Sequence, residues 1–198
     1  RMCPVRLFRS MEFFMHPALH TVSTTPSGWM MRFAPLIAAG GEVLDYACGS
    51  GRHARWLAQR GFRVEAVDRD GIALQLLQGL SRVNAREADL EGPDWPYEGR
   101  QFDAVVVTNY LFRPRFSQLL ALLRPGGVLI YETFMLGNER FGKPSNPEFL
   151  LRPNELLQRL AGDWTIVAFE QGEVQSPRPA AMQRVCAVRG QPGTLVLP

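Results

Sequence analysis

The sequence predicts an α/β fold in which helices cover both faces of a doubly wound, mostly parallel seven-stranded sheet. Short β-branched runs alternate with helical patterns along most of the 198 residues, as they do in folds of this class. The run FDAVVVT, residues 102–108, is rich in valine, which is typical of a strand buried on both faces. No helical pattern separates the last two strand-like runs, which indicates an antiparallel last strand.

The first half of the chain contains four predicted strands and three predicted helices. Ser27 can cap a short helix that ends before Gly40, and Pro35 inside it permits only a kinked or two-part helix. Glycine and aspartate residues separate the runs that follow. We expect strands at 42–46, 63–67, 83–87 and 102–108, and further helices at 51–60 and 70–77.

The second half contains three more predicted strands. A helix at 116–123 and an Arg-Pro-Gly-Gly turn precede a strand at 128–134, and a polar loop at 136–147 follows. Pro153 suits the first position of a helix, which we expect over 153–161. The last two strands are expected at 164–170 and 183–189, joined by a loop at 171–182.

Length and composition predict one domain. We expect an irregular arm over residues 1–26, the domain over 27–189 and a frayed tail over 190–198. The net charge is only +3 and no element has a basic cluster, so nucleic acid is not the expected partner. The three cysteines have no metal-ligand spacing, so we expect no metal and reduced thiols in a cytoplasm. No run is apolar for long enough to predict a membrane span.

One stretch, residues 42–70, has the order strand, glycine turn, helix, strand and acid. Its central part GSGRHA fits the dinucleotide fingerprint G-x-G-x-x-G/A, which alone would also suit NAD. Asp45, however, precedes the first glycine by four residues, and a carboxylate there repels phosphate but suits an ammonium group. Asp68 ends the second strand, where it suits ribose hydroxyls. The expected ligand therefore has a cationic amine and a ribose.

The stretch VLDYACGSGRH, residues 43–53, resembles motif I of the class I S-adenosylmethionine-dependent methyltransferases. Four further motifs follow in the order typical of this family, and the resemblance covers about residues 27–189. They are Asp68 after the second strand, Ala88-Asp89-Leu90 after the third, Thr108-Asn109-Tyr110 after the fourth and Arg124-Pro125-Gly126-Gly127 before the fifth. YETF at 131–134 and FGKPSN at 141–146 are similar to small bacterial methyltransferases of the tellurite-resistance type.

The resemblance implies S-adenosylmethionine as the cofactor and roles for ten residues. Asp45 would meet the methionine amino group, often through water, and Asp68 would accept hydrogen bonds from both ribose hydroxyls. Asp89 and the Leu90 amide would meet the adenine edge, and Arg69 would pack beside the ring. Five further residues would border the methionine, the ribose or the methyl donor: Ala47, Gly49, Gly51, Thr108 and Asn109.

Methyl transfer from a sulfonium is an in-line displacement with a neutral leaving group, so alignment and water exclusion matter more than a base. The sequence does not indicate a catalytic residue. His53 is better interpreted as a cofactor contact or an ordinary helical residue than as a base. We expect the acceptor to bind over the carboxyl ends of the strands, beside a polar loop at 138–143 that is either a closing lid or a solvated connection. Candidate acceptor contacts there are Trp29, Tyr110, Arg113, Glu132, Phe134, Asn138 and Arg140.

The acceptor is expected to be a small molecule, such as a chalcogen oxyanion, a thiol or a metabolite. Tyr110 follows Asn109 where amino-methylating DNA and protein-glutamine enzymes have Pro-Pro-Tyr, which argues against those substrates. Two alternatives stay open, an NAD-binding oxidoreductase of similar fold and a non-catalytic cofactor-binding scaffold. We expect a cytoplasmic monomer or homodimer.

Overall fold

A computed structural model describes residues 24–198. Most of the predicted arm at 1–26 therefore lies outside the described residues. Within them, residues 34–36, 113–115, 138–140 and 147–149 form single turns of 3₁₀ helix. In chain order, the α-helices and strands are α1 (Gly28–Phe33), β1 (Glu42–Tyr46), α2 (Arg52–Gln59), β2 (Arg63–Asp68), α3 (Gly71–Gln75), β3 (Val83–Glu87), β4 (Phe102–Thr108), α4 (Phe116–Ala121), β5 (Leu123–Phe134), α5 (Glu155–Arg159), β6 (Trp164–Val174) and β7 (Ala180–Arg189).

The seven strands form one sheet in the order β3-β2-β1-β4-β5-β7-β6. The five strands from β3 to β5 are parallel to one another, whereas β7 is antiparallel to both β5 and β6. The strand order reverses between β1 and β4, so a crevice opens at the carboxyl ends of these strands. The predicted fold class, including the antiparallel last strand, is confirmed.

The sheet separates two apolar cores. Helices α1, α2 and α3 cover one face, where Leu57 packs with Val106. Helices α4 and α5 cover the other face, where Leu119 packs with Val105. Because successive side chains of a strand point to opposite faces, the valine run of β4 supplies both cores, as expected for a strand buried on both sides.

Strand β5 is longer than the sequence predicts, because it begins at Leu123 and includes the Arg-Pro-Gly-Gly turn. Its register against β4 shifts between Phe102 and Ala104, so the turn is absorbed as an irregularity within the strand. Helices α2 to α5 are each shorter than predicted, and Pro153 precedes the N-cap of α5, Asn154. Helix α1 is two-part as predicted, with Pro35 in its 3₁₀ turn.

The β6–β7 hairpin extends well beyond its predicted length. Pairing continues to Val174 and Ala180, so most of the predicted loop at 171–182 is strand. Residues 191–198 contain no helix or strand, and Leu195 packs against the core. The domain limits at 27–189 stay a prediction.

Candidate cofactor site and acceptor face

A glycine turn joins β1 to α2 at the carboxyl edge of the sheet. Ala47, Gly49 and Gly51 all have positive φ, at 55°, 53° and 72°, in the left-handed region that favours glycine. Gly51 is the N-cap of α2, and a Cβ there would lie 2.5 Å from Leu77 Cδ1. A Cβ at Gly49 would meet no atom within 4 Å. The two glycines therefore differ: Gly51 permits close packing against Leu77, and Gly49 borders open space.

Asp68 holds this turn from the end of β2. Its Oδ2 accepts a hydrogen bond from the Gly49 amide at 2.7 Å, and its Oδ1 accepts one from the Asp70 amide at 3.0 Å. A carboxylate has about four acceptor positions, so these two bonds leave capacity on both oxygens. Asp68 is only partly buried and can accept further donors from the adjoining cleft.

A cleft of about 290 Å³ opens beside the turn. It brings together six of the ten predicted cofactor residues, although they are far apart in sequence. The lining residues are Ala47, Asp68, Arg69, Ala88, Asp89, Leu90, Glu91, Asn109 and Tyr110. Asp89 is exposed in this cleft and accepts from the Glu91 amide at 2.9 Å, whereas the Leu90 side chain is buried.

Tyr110 lines this cleft, and the buried Tyr46 packs behind it. Their rings pack edge to face, with centroids 5.5 Å apart. The Tyr46 hydroxyl is buried without a hydrogen-bond partner in the described structure, and burial raises the pKa of both tyrosines. Tyr110 was predicted as an acceptor contact, but the structure places it among the predicted cofactor residues. Sequence reasoning did not include Tyr46, whose position within motif I was the available signal.

Asp45 points into the protein beneath the first turn of α2. It is only 1% exposed, and its Oδ2 accepts from the Ala54 amide at 2.9 Å. Burial raises the pKa of Asp45 to about 7, although the Ala54 amide and the Arg52 charge act in the opposite direction. The carboxylate is therefore poorly stabilised in the free protein and would gain from a nearby cation.

His53, in the same helical turn, is also 1% exposed. Its Nε2 accepts from the Ser27 amide at 3.1 Å, and its Nδ1 lies 3.4 Å from Thr108 Oγ1 and 3.8 Å from Asp45 Oδ1. Burial, with a smaller effect of Arg52, lowers the pKa of His53 to about 3. The imidazole is thus neutral and linked to both the N-terminal segment and β4, a placement that the sequence did not predict.

Four polar side chains cross the α1 face of the sheet in one row, which we term the polar row. It consists of Thr108, Glu132, Arg184 and Glu170, which are successive cross-strand partners on β4, β5, β7 and β6. Glu132 is 7% exposed and lies 3.2 Å from the Arg184 guanidinium. Arg184 also reaches Glu170 at 3.6 Å. Glu132 was predicted as an acceptor contact, and here it is already paired.

Arg113 binds the segment after β5 instead of facing the crevice. Its guanidinium contacts the Glu155 carboxylate with two nitrogens at 2.8 Å each. It also donates to the carbonyls of Glu148 and Leu150 at 2.6 and 2.7 Å. This bidentate arrangement is a strong structural clamp. Contact between Arg113 and an acceptor stays a prediction, and the structure gives the residue a bracing role.

Asn138 and Arg140 likewise brace the loop that contains them. Asn138 is buried, donates to the Pro144 carbonyl at 2.9 Å and accepts from the Ala181 amide at 3.2 Å. Arg140 pairs with Glu173 at 2.6 Å. The loop at 138–143 is therefore tied to the β6–β7 hairpin, which favours a fixed connection over a freely closing lid.

Trp29 and Phe134, two further predicted acceptor contacts, pack in apolar clusters. Trp29 is 4% exposed, and its indole nitrogen donates to the Val185 carbonyl at 3.2 Å. Phe134 packs with Leu150 and Met182. Large aromatic side chains bury much apolar area when they pack in a core, and contact between these two residues and an acceptor stays a prediction.

The described residues lack two features, a membrane-spanning helix and a group of metal-binding side chains. None of their helices is long and apolar enough to cross a membrane. Nor do residues 24–198 contain a group of three or more His, Cys, Asp or Glu side chains that could hold a metal ion.

Curated relatives that are similar to this chain are named for different acceptors. A tRNA U34 carboxymethyltransferase of Methylococcus capsulatus is 31% identical over 76% of this chain and 50% of its own length. A demethylmenaquinone methyltransferase of Clavibacter sepedonicus is 34% identical over 46% of this chain and 40% of its own length. The chain thus spans about half the length of the curated relatives it matches.

Solved structures agree with the fold. TehB from Haemophilus influenzae superposes with a TM-score of 0.68 at 20% identity, covering 85% of this chain and 64% of TehB. At that identity the likeness concerns the fold alone. A family model described as a methyltransferase domain matches residues 18–190, and it includes the glycine turn, the cleft and the polar row. The chain therefore belongs to the methyltransferase domain family.

Proposed function

We propose that this protein transfers a methyl group from S-adenosylmethionine by in-line displacement. The observation that supports this most directly is the buried Asp45 carboxylate below the glycine turn, whose pKa is raised to about 7. A dinucleotide would bring a pyrophosphate toward this carboxylate, whereas S-adenosylmethionine would bring an ammonium group. The same observation disfavours an NAD-binding oxidoreductase.

The chemistry of the cleft suits such a cofactor. Asp68 has acceptor capacity left on both oxygens after binding the Gly49 and Asp70 amides, which suits two ribose hydroxyls. Asp89 and Leu90 would meet the adenine edge, with Arg69 beside the ring. The backbone of the glycine turn would follow the methionine and ribose, and the end of β4 would border the methyl donor; these positions are Ala47, Gly49, Gly51, Thr108 and Asn109.

The cofactor supplies a methyl group on a sulfonium, so the leaving group is a neutral thioether. The residues of this chain then have to bind, orient and exclude water, since a base is needed only for an acceptor that loses a proton. Asp45 would interact with the ammonium across the first turn of α2, and we assign no catalytic residue.

We infer a small-molecule acceptor and a cytoplasmic protein that is a monomer or homodimer. Two observations support this: the net charge is only +3, and the charged side chains of the polar row pair with one another. RNA is the second candidate, because one relative is named a tRNA U34 carboxymethyltransferase. A screen of labelled methyl transfer to thiols, selenite, tellurite, small metabolites and total RNA would distinguish these acceptors. Turnover of any of them would also exclude a non-catalytic scaffold.

Calorimetry with S-adenosylhomocysteine tests the cofactor directly. We expect micromolar or tighter binding, and NADH should give no heat. Asp68→Asn should weaken binding about tenfold or more, because it removes charge-assisted hydrogen bonds to the ribose. Asp70→Asn is the matched control, since Asp70 caps α3 through the Ala73 amide and lies two residues away. Binding of NADH in place of S-adenosylhomocysteine would refute the proposal.

A further inference from the structure

His53 joins three elements that are far apart in sequence. Its Nε2 lies 3.1 Å from the Ser27 amide, ahead of α1, and its Nδ1 lies 3.4 Å from Thr108 Oγ1 at the end of β4. Asp45 of β1 is 3.8 Å away from the same Nδ1. The side chain is almost completely buried, so each contact is made in a dry environment where it has most effect.

The direction of the Ser27 contact determines the tautomer. A backbone amide can only donate, so Nε2 must accept and cannot hold a proton. Burial and the neighbouring Arg52 guanidinium keep the ring neutral, and its one proton is therefore on Nδ1. That Nδ1–H faces Thr108 and Asp45. The ring thus uses one nitrogen for the N-terminal segment and the other for the sheet.

Other contacts of this segment are more exposed or lie farther along α1. Arg52 donates to the Thr25 carbonyl at 3.2 Å, and Arg32 lies 3.8 Å from Glu170. Both contacts are exposed, and such contacts contribute little. The buried Trp29 contact with Val185 secures the helix itself. Ahead of the helix, the Ser27–His53 hydrogen bond involves a buried side chain.

We propose that His53 is a positioning residue that fastens residues 24–27 across the carboxyl ends of β1 and β4, next to the cleft. Trp29 at the start of α1 lies over Arg184 of the polar row, with the ring centroid 5.9 Å from the guanidinium. By holding Ser27, His53 would keep this part of α1 in place and so shape the edge at which methyl donor and acceptor would meet. This last step rests on the proposed function. The fastening itself is a property of the protein without ligand and can be tested alone.

Ser27 allows a matched pair of variants. Its φ of −62° is close to the angle that proline imposes, so Ser27→Pro fits this φ and removes both the amide donor and the hydroxyl. Ser27→Ala keeps the amide and loses the hydroxyl that caps α1 through Met30. The difference between the two variants isolates the amide–imidazole bond. At the acceptor end of this hydrogen bond, His53→Phe keeps a ring that has no acceptor atom, and His53→Gln keeps an acceptor atom without the ring.

Amide hydrogen exchange of residues 28–33 in the free protein is the first measurement. Ser27→Pro should exchange about tenfold faster than Ser27→Ala, and His53→Phe faster than His53→Gln, the scale expected for one hydrogen bond. Equal exchange within each pair would overturn the proposal. Nitrogen-15 NMR of labelled histidines is the second measurement, with His53→Gln identifying the signal. A Nδ1–H tautomer that does not titrate between pH 5 and 8 is expected, and a Nε2–H tautomer would overturn it.

Binding of S-adenosylhomocysteine separates this proposal from the previous one. We expect Ser27→Pro to bind it three- to tenfold more weakly than Ser27→Ala, through faster dissociation. Equal affinities would confine His53 to packing of the segment and overturn its positioning role. If the unchanged protein does not bind the ligand at all, while Ser27→Pro still exchanges faster, the proposed function fails and the fastening stands.

Discussion

Alanine substitutions at Gly49 and Gly51 should separate the ligand-facing part of the glycine turn from its packing part. Both residues have positive φ, so alanine costs about 1–2 kcal/mol of backbone strain at either position. A Cβ at Gly51 would in addition lie 2.5 Å from Leu77 Cδ1 and Cδ2. Leu77 is buried and cannot withdraw freely, and such overpacking costs about 1–3 kcal/mol.

We therefore expect Gly51→Ala to lower the free energy of unfolding by about 2–5 kcal/mol and Gly49→Ala by about 1–2 kcal/mol. The losses in ligand affinity should have the reverse order, with the larger loss in Gly49→Ala. A Cβ at Gly49 meets no protein atom within 4 Å and would occupy space proposed for the cofactor, so Gly49→Ala should bind S-adenosylhomocysteine more weakly than Gly51→Ala.

Urea denaturation followed by circular dichroism measures the stability difference, and calorimetry measures the binding difference. A double-mutant cycle with Leu77→Ala tests the cause. Leu77→Ala alone leaves a cavity and should cost about 2–5 kcal/mol, but the new methyl group of Gly51→Ala would partly fill that space. The combined loss should fall short of the sum by about 1 kcal/mol or more. Strict additivity would refute the argument that Leu77 limits Gly51.

Two further predictions concern carboxylates with shifted pKa values. The pKa of Asp45 is about 7 in the free protein, so an ammonium bound beside it should lower that pKa and release a proton at pH 6 but much less at pH 8. Calorimetry in buffers of different ionisation enthalpy measures the proton release, with Asp45→Asn as the control. Equal proton release in both proteins would contradict this prediction. The pKa of Glu155 is lowered to about 2, since hydrogen bonds from Arg113, the Arg152 amide and Arg159 outweigh the opposing effect of burial, so its contribution to stability is complete above pH 4.5 and is lost as the pH falls toward 2. Glu155→Gln should thus lower the free energy of unfolding by roughly 1–3 kcal/mol at pH 7 and by less at pH 3. Denaturation at the two pH values measures this difference. A loss of stability that does not depend on pH would disprove the ionic role of Glu155.

The sheet could be predicted closely because its signals are local. Strands β1, β3 and β4 begin and end where the sequence predicts them, since each is bounded by turn residues. The length of the β6–β7 hairpin could not be predicted, because Gly172 and Pro177 are typical of loops. Pairing with β7 overrides that local preference as far as Val174. Pairing of this kind depends on partners that only the tertiary fold brings together.

The candidate site divides in the same way. Asp68, Asp89 and Asn109 could be located from sequence because parallel strands place their carboxyl ends at one edge, and the cleft includes all three. The intramolecular contacts of the charged acceptor candidates could not be predicted, because their partners are distant in sequence. Arg113 binds Glu155, which is 42 residues away. The role of each therefore depends on tertiary pairs that have no local signal.

The polar row would affect which charge is preferred in an acceptor bound beside it. Glu132 and Arg184 neutralise each other at 3.2 Å, with the Arg184 side chain 20% exposed. An oxyanion such as tellurite would have to break this pair to gain a counter-ion, at a cost of up to about 3 kcal/mol for a partly buried pair.

A neutral acceptor would leave the pair intact. We therefore expect uncharged metabolites to be methylated faster than selenite or tellurite in the labelled screen. Arg184→Met should slow any oxyanion reaction further, because it removes the one cation of the row and leaves Glu132 unpaired. Preferred methylation of tellurite by the unchanged protein would show that Arg184 releases Glu132 when the acceptor binds. It would contradict the inference that the ion pair between Glu132 and Arg184 stays intact.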